Sequence, residues 1–321
     1  MQKIGIIGGA GYTGGELLRL LIHHPAAEIA FVHSHSQAGK HIWEVHQDLL
    51  GETELRFSSE VNADIDVLFA CAGHGKTRPF LAENAFPESL KIIDLSRDFR
   101  LASAEHDFVY GLPELQREAI RQTKHLANPG CFATCIQLAL LPLAQAGELK
   151  DEVHVHALTG STGAGQKPSG TTHFSWRNNN LSIYKAFAHQ HLAEIKQSLQ
   201  QLQPGFAQSL NFLPMRGDFS RGIYASVYLN SDLSAEAATV LYQKYYESHP
   251  FTHLSAENPH LKQVVNTNKA IVHVQKLDGK LLIISMIDNL LKGASGQAVQ
   301  NFNLMSGLDE MTGLHLKAMA F

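Results

Sequence analysis

Residues 4–15 read Ile4-Gly5-Ile6-Ile7-Gly8-Gly9-Ala10-Gly11-Tyr12-Thr13-Gly14-Gly15, and Glu16-Leu17-Leu18-Arg19-Leu20-Leu21-Ile22 follows. An apolar strand, a glycine turn and a helix in that order commit the chain to a parallel sheet with helices packed on its faces. The spacing Gly8-x-x-Gly11-x-x-Gly14 is a variant of the dinucleotide fingerprint. Gly8 permits the tight turn, Gly11 lets the backbone approach a pyrophosphate, and Gly14 lets the helix pack closely. The helix start at Tyr12 and Thr13 then offers backbone N–H groups to the phosphates. A purely structural glycine turn competes with this reading, but both flanks fit the fingerprint.

Glu28–His33 reads as the second strand and ends in His33-Ser34-His35-Ser36. An NAD site has an Asp or Glu at this place for the ribose 2′-hydroxyl. This chain has neither; the hydroxyls of Ser34 and Ser36, with Lys40 behind them, suit a 2′-phosphate, and NADP is the expected cofactor. Val67–Cys71 and Lys91–Leu95 fit buried parallel strands. Ala72-Gly73-His74-Gly75 follows the first, which places Gly73 beside the nicotinamide ribose. Asp94-Leu95-Ser96-Arg97-Asp98-Phe99-Arg100 ends the second. Ligands of open parallel sheets lie at such strand ends, so Arg97 and Arg100 are candidate anion clamps, with a salt bridge to Asp98 as the alternative.

Asn128-Pro129-Gly130-Cys131-Phe132-Ala133-Thr134 leads into an apolar helix over 132–144. Cys131 therefore falls at a helix N-terminus, where unpaired N–H groups and the dipole favour the nucleophilic thiolate. A small core residue is the competing reading. Beyond residue 152 the pattern turns to strands, at Val153–Leu158, Gly222–Leu229, Ala270–Lys276 and Lys280–Asp288, with Asp278-Gly279 as a hairpin turn. A mixed or antiparallel sheet with helices on one face is expected. The loop Thr159–Ser169 is rich in glycine and hydroxyls, and Ser175–Tyr184 reads as an irregular lid. Ala188-His189-Gln190-His191-Leu192-Ala193-Glu194-Ile195 opens a helix running to about Leu202. If both histidines are helical, at most one faces a site, whereas His191 and Glu194, three apart, share a face. Asn289–Asn301 is expected to open a last helix that returns to the first domain.

The chain has 321 residues, room for two domains, and its net charge of −4 gives no reason to expect nucleic acid as a partner. No apolar run is long enough for a membrane span, and the chain enters its first strand without a signal peptide. Three cysteines point to a reducing compartment, the cytoplasm. Cys131 and Cys135 lack the His or Cys neighbours of a zinc site, so no metal is expected. The histidines at 23, 24, 33, 35, 41 and 46 lack ligand spacing, and most read as surface polar residues.

Taken in order, the segments Gly8–Leu17, Asp94–Leu101, Tyr110–Leu115, Asn128–Thr134, Gly160–Gly165, His189–Ile195 and Asn289–Asn301 make the chain resemble the N-acetyl-gamma-glutamyl-phosphate reductases over nearly its whole length. That resemblance implies a Rossmann-type doubly wound parallel sheet plus a second α+β domain of the glyceraldehyde-phosphate-dehydrogenase kind. The expected division is 1–130 with 293–321 for NADP, and 131–292 for catalysis and dimerisation. It implies Cys131 as nucleophile and His191 as base. The substrate side would hold Ser96, Arg100, Glu114 and Asn128, with Ser161, His189 and Glu194 from the second domain. Gly163, Asn289 and Gly293 would join the cofactor side. The reaction implied is NADPH-dependent reduction of an acyl-glutamyl phosphate, a small-molecule substrate, by a homodimer or homotetramer. Two positions depart from the family pattern: Arg97 replaces a small residue, and Leu192-Ala193-Glu194 lacks a proline. An aspartate-semialdehyde dehydrogenase and a non-enzymatic NADP sensor remain as alternatives.

Overall fold

The computed structural model describes residues 1–319, which fall into two compact units. Unit 1 comprises Met1–Pro129 and Ala294–His315; unit 2 comprises Gly130–Gly293 and residues 316–319.

In unit 1, β1 (Gln2–Ile7) turns into α1 (Tyr12–Leu21), and β2 (Ala27–His33) lies parallel beside β1. A single turn, α2 (Ile42–Val45), precedes β3 (Phe57–Ser58) and β4 (Val67–Ala70). Then come α3 (Thr77–Glu83), β5 (Lys91–Asp94), β6 (Val109–Tyr110), α4 (Pro113–Gln122) and β7 (His125–Ala127). The sheet order is β3-β2-β1-β4-β5-β7-β6, with every pairing parallel. The build-up reverses between β1 and β4, the switch point where such sheets bind ligands. Tyr110 ends β6, and α4 starts three residues on with Pro113 in its first turn.

The glycine turn is shaped by close backbone approach. Gly8 has φ +73°, and a Cβ there would lie 2.4 Å from the Ala72 Cα, so β1 and β4 end against one another. A Cβ on Gly14 would lie 2.5 Å from the Gly9 carbonyl oxygen, so the helix packs on its own turn. His46 supports that turn: its Nε2 lies 2.8 Å from the Gly9 carbonyl, and its ring fills the place of a Gly15 side chain. His24, His33 and His46 are buried, which corrects their reading as surface residues. His24 reaches Asn303 and His46 the glycine turn, so each ring spends its polar atoms inside.

Unit 2 begins with α5 (Cys131–Gln145) and β8 (Val153–Thr159). There follow α6 (Phe174–Arg177), β9 (Ser182–Ile183), α7 (His191–Leu202), β10 (Leu210–Arg216) and β11 (Ile223–Asn230). The chain continues through α8 (Ala235–Tyr246), β12 (Thr252–Leu254), β13 (Ala270–Leu277) and β14 (Lys280–Ile287). These strands form a mixed sheet in the order β12-β13-β14-β11-β8-β10-β9. Positive φ at Asp278 and Gly279 makes the expected hairpin between β13 and β14. β10 escaped the sequence reading because Pro214 argues against a strand interior. It is tolerated because β9, on that side, pairs only with Met215 and Arg216. The last helix, α9 (Ser295–Met305), belongs to unit 1; it packs on α1 and α4 and is buried along its whole length. Among the described residues no helix is long and apolar enough to cross a membrane.

Gly8→Ala combines a left-handed backbone with a clash, whereas Gly75 shares the positive φ but has open space around it. Gly75→Ala should lose roughly 1 kcal/mol and Gly8→Ala about 3 kcal/mol or more. Urea midpoints of the two variants check this; equal losses would show that the approach to Ala72 is not what fixes Gly8.

Candidate active site

Unit 2 carries the candidate nucleophile. Cys131 is the first residue of α5, with Gly130 in extended conformation as its cap, and it is partly exposed. The rest of α5 from Phe132 to Ala144 is buried on all sides, so the helix is anchored and only its head is open. Gly293 packs against that head: a Cβ there would lie 2.8 Å from the Cys131 Cβ. Any side chain at 293 would displace the thiol. Cys135, one turn on, is fully buried with its thiol on the Ser285 carbonyl oxygen at 3.2 Å, which makes it a core residue.

Helix α7 starts at His191, so His189 stands before it and the rule separating helical residues two apart does not apply. The two rings meet edge to face with centroids 4.5 Å apart, and Phe132, Phe212 and Tyr184 surround His189. The His191 backbone N–H donates to His189 Nδ1 at 3.2 Å, leaving Nε2 to carry the proton of the neutral ring. Burial, then the charges of Lys185 and Arg216, lower the His189 imidazole to about 4. His189 is therefore a neutral hydrogen-bond donor near neutral pH. Glu194 Oε2 accepts the Gly130 N–H at 3.0 Å, and its Oε1 lies 3.8 Å from His191 Nε2. The carboxylate thus ties the first turn of α7 to the head of α5.

Sequence reading missed Tyr184 and Arg216. The Arg216 guanidinium lies over the Tyr184 ring at 4.6 Å. Burial and then the charge at Cys131 push the Tyr184 phenol up to about 12, with Arg216 opposing. Neither residue belongs to a glycine or histidine motif, and only pairing of β9 with β10 brings Ser182 opposite Arg216. Residues 182–183 of the expected lid are an edge strand, and buried Arg177 ties the segment down through the Thr171, Asn180 and Arg216 carbonyls.

Ser161, Gly163 and Asn289 form a second cluster in unit 2. Ser161 donates its N–H to Phe219. Asn289 accepts the Gly222 N–H at 2.7 Å and donates to Thr162 Oγ1 at 3.0 Å, so its side chain braces two loops rather than presenting itself to a ligand. Below it, buried Asp288 holds Arg221 through two bonds at 3.0 and 3.1 Å.

In unit 1 the strand-end residues are largely tied together. Ser96 donates to Asp94 at 2.8 Å, and Asp98 accepts the N–H groups of Gly75, Thr77 and Arg78 at the start of α3. Burial raises the Asp98 carboxyl, but those N–H groups outweigh it and hold it below the usual range. Arg100 is buried, with Nε on the Asn128 carbonyl at 2.9 Å and an Nη on the Leu95 carbonyl at 3.0 Å. Asn128 donates to the Ala294 carbonyl and accepts from Asn301, while Glu114 is buried in the first turn of α4. The glycine turn fits a dinucleotide: a Cβ on Gly11 would meet only the Gly8 carbonyl at 3.7 Å, so the head of α1 is open to a phosphate, and Tyr12 stands exposed beside it. Ser295 Oγ donates to the Thr13 carbonyl at 2.8 Å, placing the return of the chain at Ser295 rather than at Asn289. Gly73 is exposed with φ +94°. Ser34 follows β2 and is buried, Ser36 and Lys40 are exposed beyond it, and Arg56 pairs with His41 and the Gly39 carbonyl. Arg56 was missed because it lies on the neighbouring segment, bridged to His41. Among the described residues no cluster of His, Cys, Asp and Glu is arranged to hold a metal.

Residues 3–123 match the family model described as semialdehyde dehydrogenase, NAD binding domain, and residues 131–289 match that of the semialdehyde dehydrogenase dimerisation domain. The chain is 60% identical to an N-acetyl-gamma-glutamyl-phosphate reductase of Parabacteroides distasonis and 59% identical to one of Bacteroides fragilis, over all of both chains in each case. Aspartate semialdehyde dehydrogenase II from Vibrio cholerae, complexed with ASA, superposes with a TM-score of 0.74 at 18% identity, covering 96% of this chain and 98% of the other. The Candida albicans aspartate semialdehyde dehydrogenase with NADP gives 0.72 at 15% identity, over 95% and 98%. At these identities the solved structures establish the fold.

His189 makes folding sensitive to acid. Its folded pKa lies near 4, below the ordinary 6.5, so between those values the unfolded chain binds the proton and the folded one does not. Stability should fall as pH drops from 6.5 to 4, by up to roughly 3 kcal/mol from this ring, and level off below. Urea titrations at pH 7 and 4.5 should show a smaller loss in His189→Phe than in the native protein; an equal loss would remove His189 as the cause.

Proposed function

We propose, for a chain that belongs to the semialdehyde dehydrogenase family and to its N-acetyl-gamma-glutamyl-phosphate reductases, the NADPH-dependent reduction of an N-acyl-gamma-glutamyl phosphate. The products are the N-acyl-glutamate 5-semialdehyde and phosphate, a step of arginine biosynthesis. The observation that carries this reading is Cys131, partly exposed at the head of a buried helix, with Gly293 clearing its flank.

The Cys131 thiolate attacks the acyl carbon, and the C–O bond to phosphate breaks as the thioester forms. N–H groups at the head of α5 face the oxyanion that develops. We assign the departing phosphate to Arg100, which lies past the end of β5, and place Ser96, Glu114 and Asn128 on the substrate side with it. NADPH, when bound, supplies the hydride that reduces the thioester. His191 gives a proton to the resulting oxyanion and recovers it as the C–S bond breaks, which releases the aldehyde and the thiolate. Glu194 supports His191, and His189 offers its Nε2–H to the substrate. Unit 1 is the cofactor domain: Gly8, Gly11, Tyr12, Thr13 and Gly14 receive the pyrophosphate, and Gly73 borders the nicotinamide ribose. Ser34, Ser36 and Lys40, joined by Arg56, receive the 2′-phosphate. Gly163, Asn289 and Gly293 shape unit 2 around the thiol.

A homodimer or homotetramer in the cytoplasm completes the proposal. The outer face of the unit 2 sheet supports it: Leu158 and Tyr228 lie half-buried there, beside the Val264, Ile284 and Met286 cluster on which Tyr224 and Leu282 pack.

Cys131→Ser should lose more than about a thousandfold in turnover while its NADPH affinity stays unchanged. His191→Asn should slow the chemical step by roughly two to four orders of magnitude and abolish one limb of the pH–rate profile. His189→Asn should mainly raise KM for the acyl substrate. Steady-state kinetics decides it: a serine variant within a factor of about ten of native turnover removes the covalent step, and exchanged histidine phenotypes reassign the base.

For the cofactor, NADPH should bind more tightly than NADH, and Arg56→Ala or Lys40→Ala should weaken NADPH roughly tenfold without changing NADH. Fluorescence titration of the two nucleotides measures this; tighter NADH binding would overturn the assignment.

A further inference from the structure

Two buried polar atoms on the packed face of the unit 2 sheet have no hydrogen-bond partner: Arg216 Nε and Thr159 Oγ1. They are neighbours, because β8 and β10 run parallel with Thr159 opposite Arg216 at their C-terminal ends. Side chains at paired positions share a face. This face also carries Phe212, which touches both His189 and Phe132 beside the nucleophile. Unsatisfied buried donors are expensive and need an explanation.

The charges nearby are mostly positive. Arg177 donates to the Arg216 carbonyl, and Lys185 stands close enough to depress His189 together with Arg216. The nearest acid in the chain, Asp218, is engaged by the Asn179 N–H at 2.7 Å, and Arg216 makes no ion pair with any described residue. The guanidinium lies over the Tyr184 ring at 4.6 Å and bonds its phenol, which senses Cys131 as well as Arg216. A stacked guanidinium keeps its N–H edge fixed, and Nε–H with one Nη–H forms the fork that fits a carboxylate in two parallel bonds. An acyl chain lying along Tyr184 from the sulfur brings an anionic end group to that edge.

We propose that Arg216 receives the α-carboxylate of the acyl-amino-acid substrate, with Thr159 Oγ1 as a second contact. This deepens the reductase reading and rests on it. The role differs from that of Arg100, which is assigned to phosphate at the reacting carbon.

The aldehyde-oxidising direction separates the two anions, because aldehyde and phosphate are then added independently. Arg216→Gln should raise KM for N-acetyl-L-glutamate 5-semialdehyde by roughly ten- to a hundredfold, the effect of losing a charge-assisted pair. KM for phosphate should stay within about twofold. With N-acetyl-4-aminobutanal, which lacks the α-carboxylate, native and variant enzymes should perform alike. A variant that loses equally on both aldehydes, or whose phosphate KM rises instead, overturns the assignment. Arg216→Lys, which keeps the charge and loses the fork, provides the same comparison should the glutamine variant fold poorly.

A second readout needs no turnover. N-Acetyl-L-glutamate should protect native Cys131 from iodoacetamide, and Arg216→Gln should abolish that protection. N-Acetyl-4-aminobutyrate should protect both proteins equally weakly. If the native protein shows no phosphate-dependent aldehyde oxidation but the Arg216-dependent protection persists, the reductase reading fails and the carboxylate site stands. Oxidation without Arg216-dependent protection sinks the carboxylate site alone.

Discussion

A buried carboxylate holds unit 2 in register. Glu194, in the first turn of α7, accepts the N–H of Gly130, the residue that caps α5. A carboxylate removed from water needs donors of this kind, and a helix head has N–H groups without partners inside the helix. The bond therefore answers two needs at once and docks the start of one helix against the start of another. Everything local to Cys131 follows from that docking. Phe132 meets the rings of His189 and His191, Tyr184 closes over His189, and Arg216 lies on Tyr184.

The body of α5 shows how much the fold invests in keeping that head in place. Pro142 sits inside the helix and has no N–H for the carbonyl of Leu138 four residues earlier. The Tyr246 hydroxyl, from α8, donates to that carbonyl at 2.6 Å. The neighbouring Ala139 carbonyl takes the Tyr242 hydroxyl. A proline that would weaken an isolated helix becomes an attachment point for the next one. With apolar residues on every side from Phe132 to Ala144, the helix cannot roll or slide without breaking core contacts. Rigidity behind the thiol and openness in front of it come from the same fifteen residues.

Local sequence carried the parts of this architecture that local chemistry determines. The glycine turn, the strand ends at Asp94 and Ala70, and the Asp278-Gly279 hairpin could be placed because glycine, proline and alternation act over a few residues. The helix head at Cys131 was legible for the same reason. Arg216 and Tyr184 were not, since neither carries a motif and their proximity depends on pairing two strands, one of them disguised by Pro214. Some histidines failed in another way. Composition treats them as polar, yet His24 and His46 pack as rings with ring nitrogens on internal partners. His189 also showed that a helix boundary shifted by three residues changes which side chains meet.

Unit 1 is assembled from two stretches of chain, Met1–Pro129 and Ala294–His315, whereas the bulk of unit 2 is one continuous run between them. The helix Ser295–Met305 is buried along its length, and its Ser295 reaches the glycine turn at Thr13. A ribosome releases these stretches in order, so the 130–293 run is complete and able to close while the nucleotide-binding sheet still lacks a covering helix. Until that helix arrives, α1 and α4 expose the apolar faces it will cover. Maturation thus departs from the numbering: the thiol-bearing run 130–293 can close while the unit that precedes it still waits for Ala294–His315.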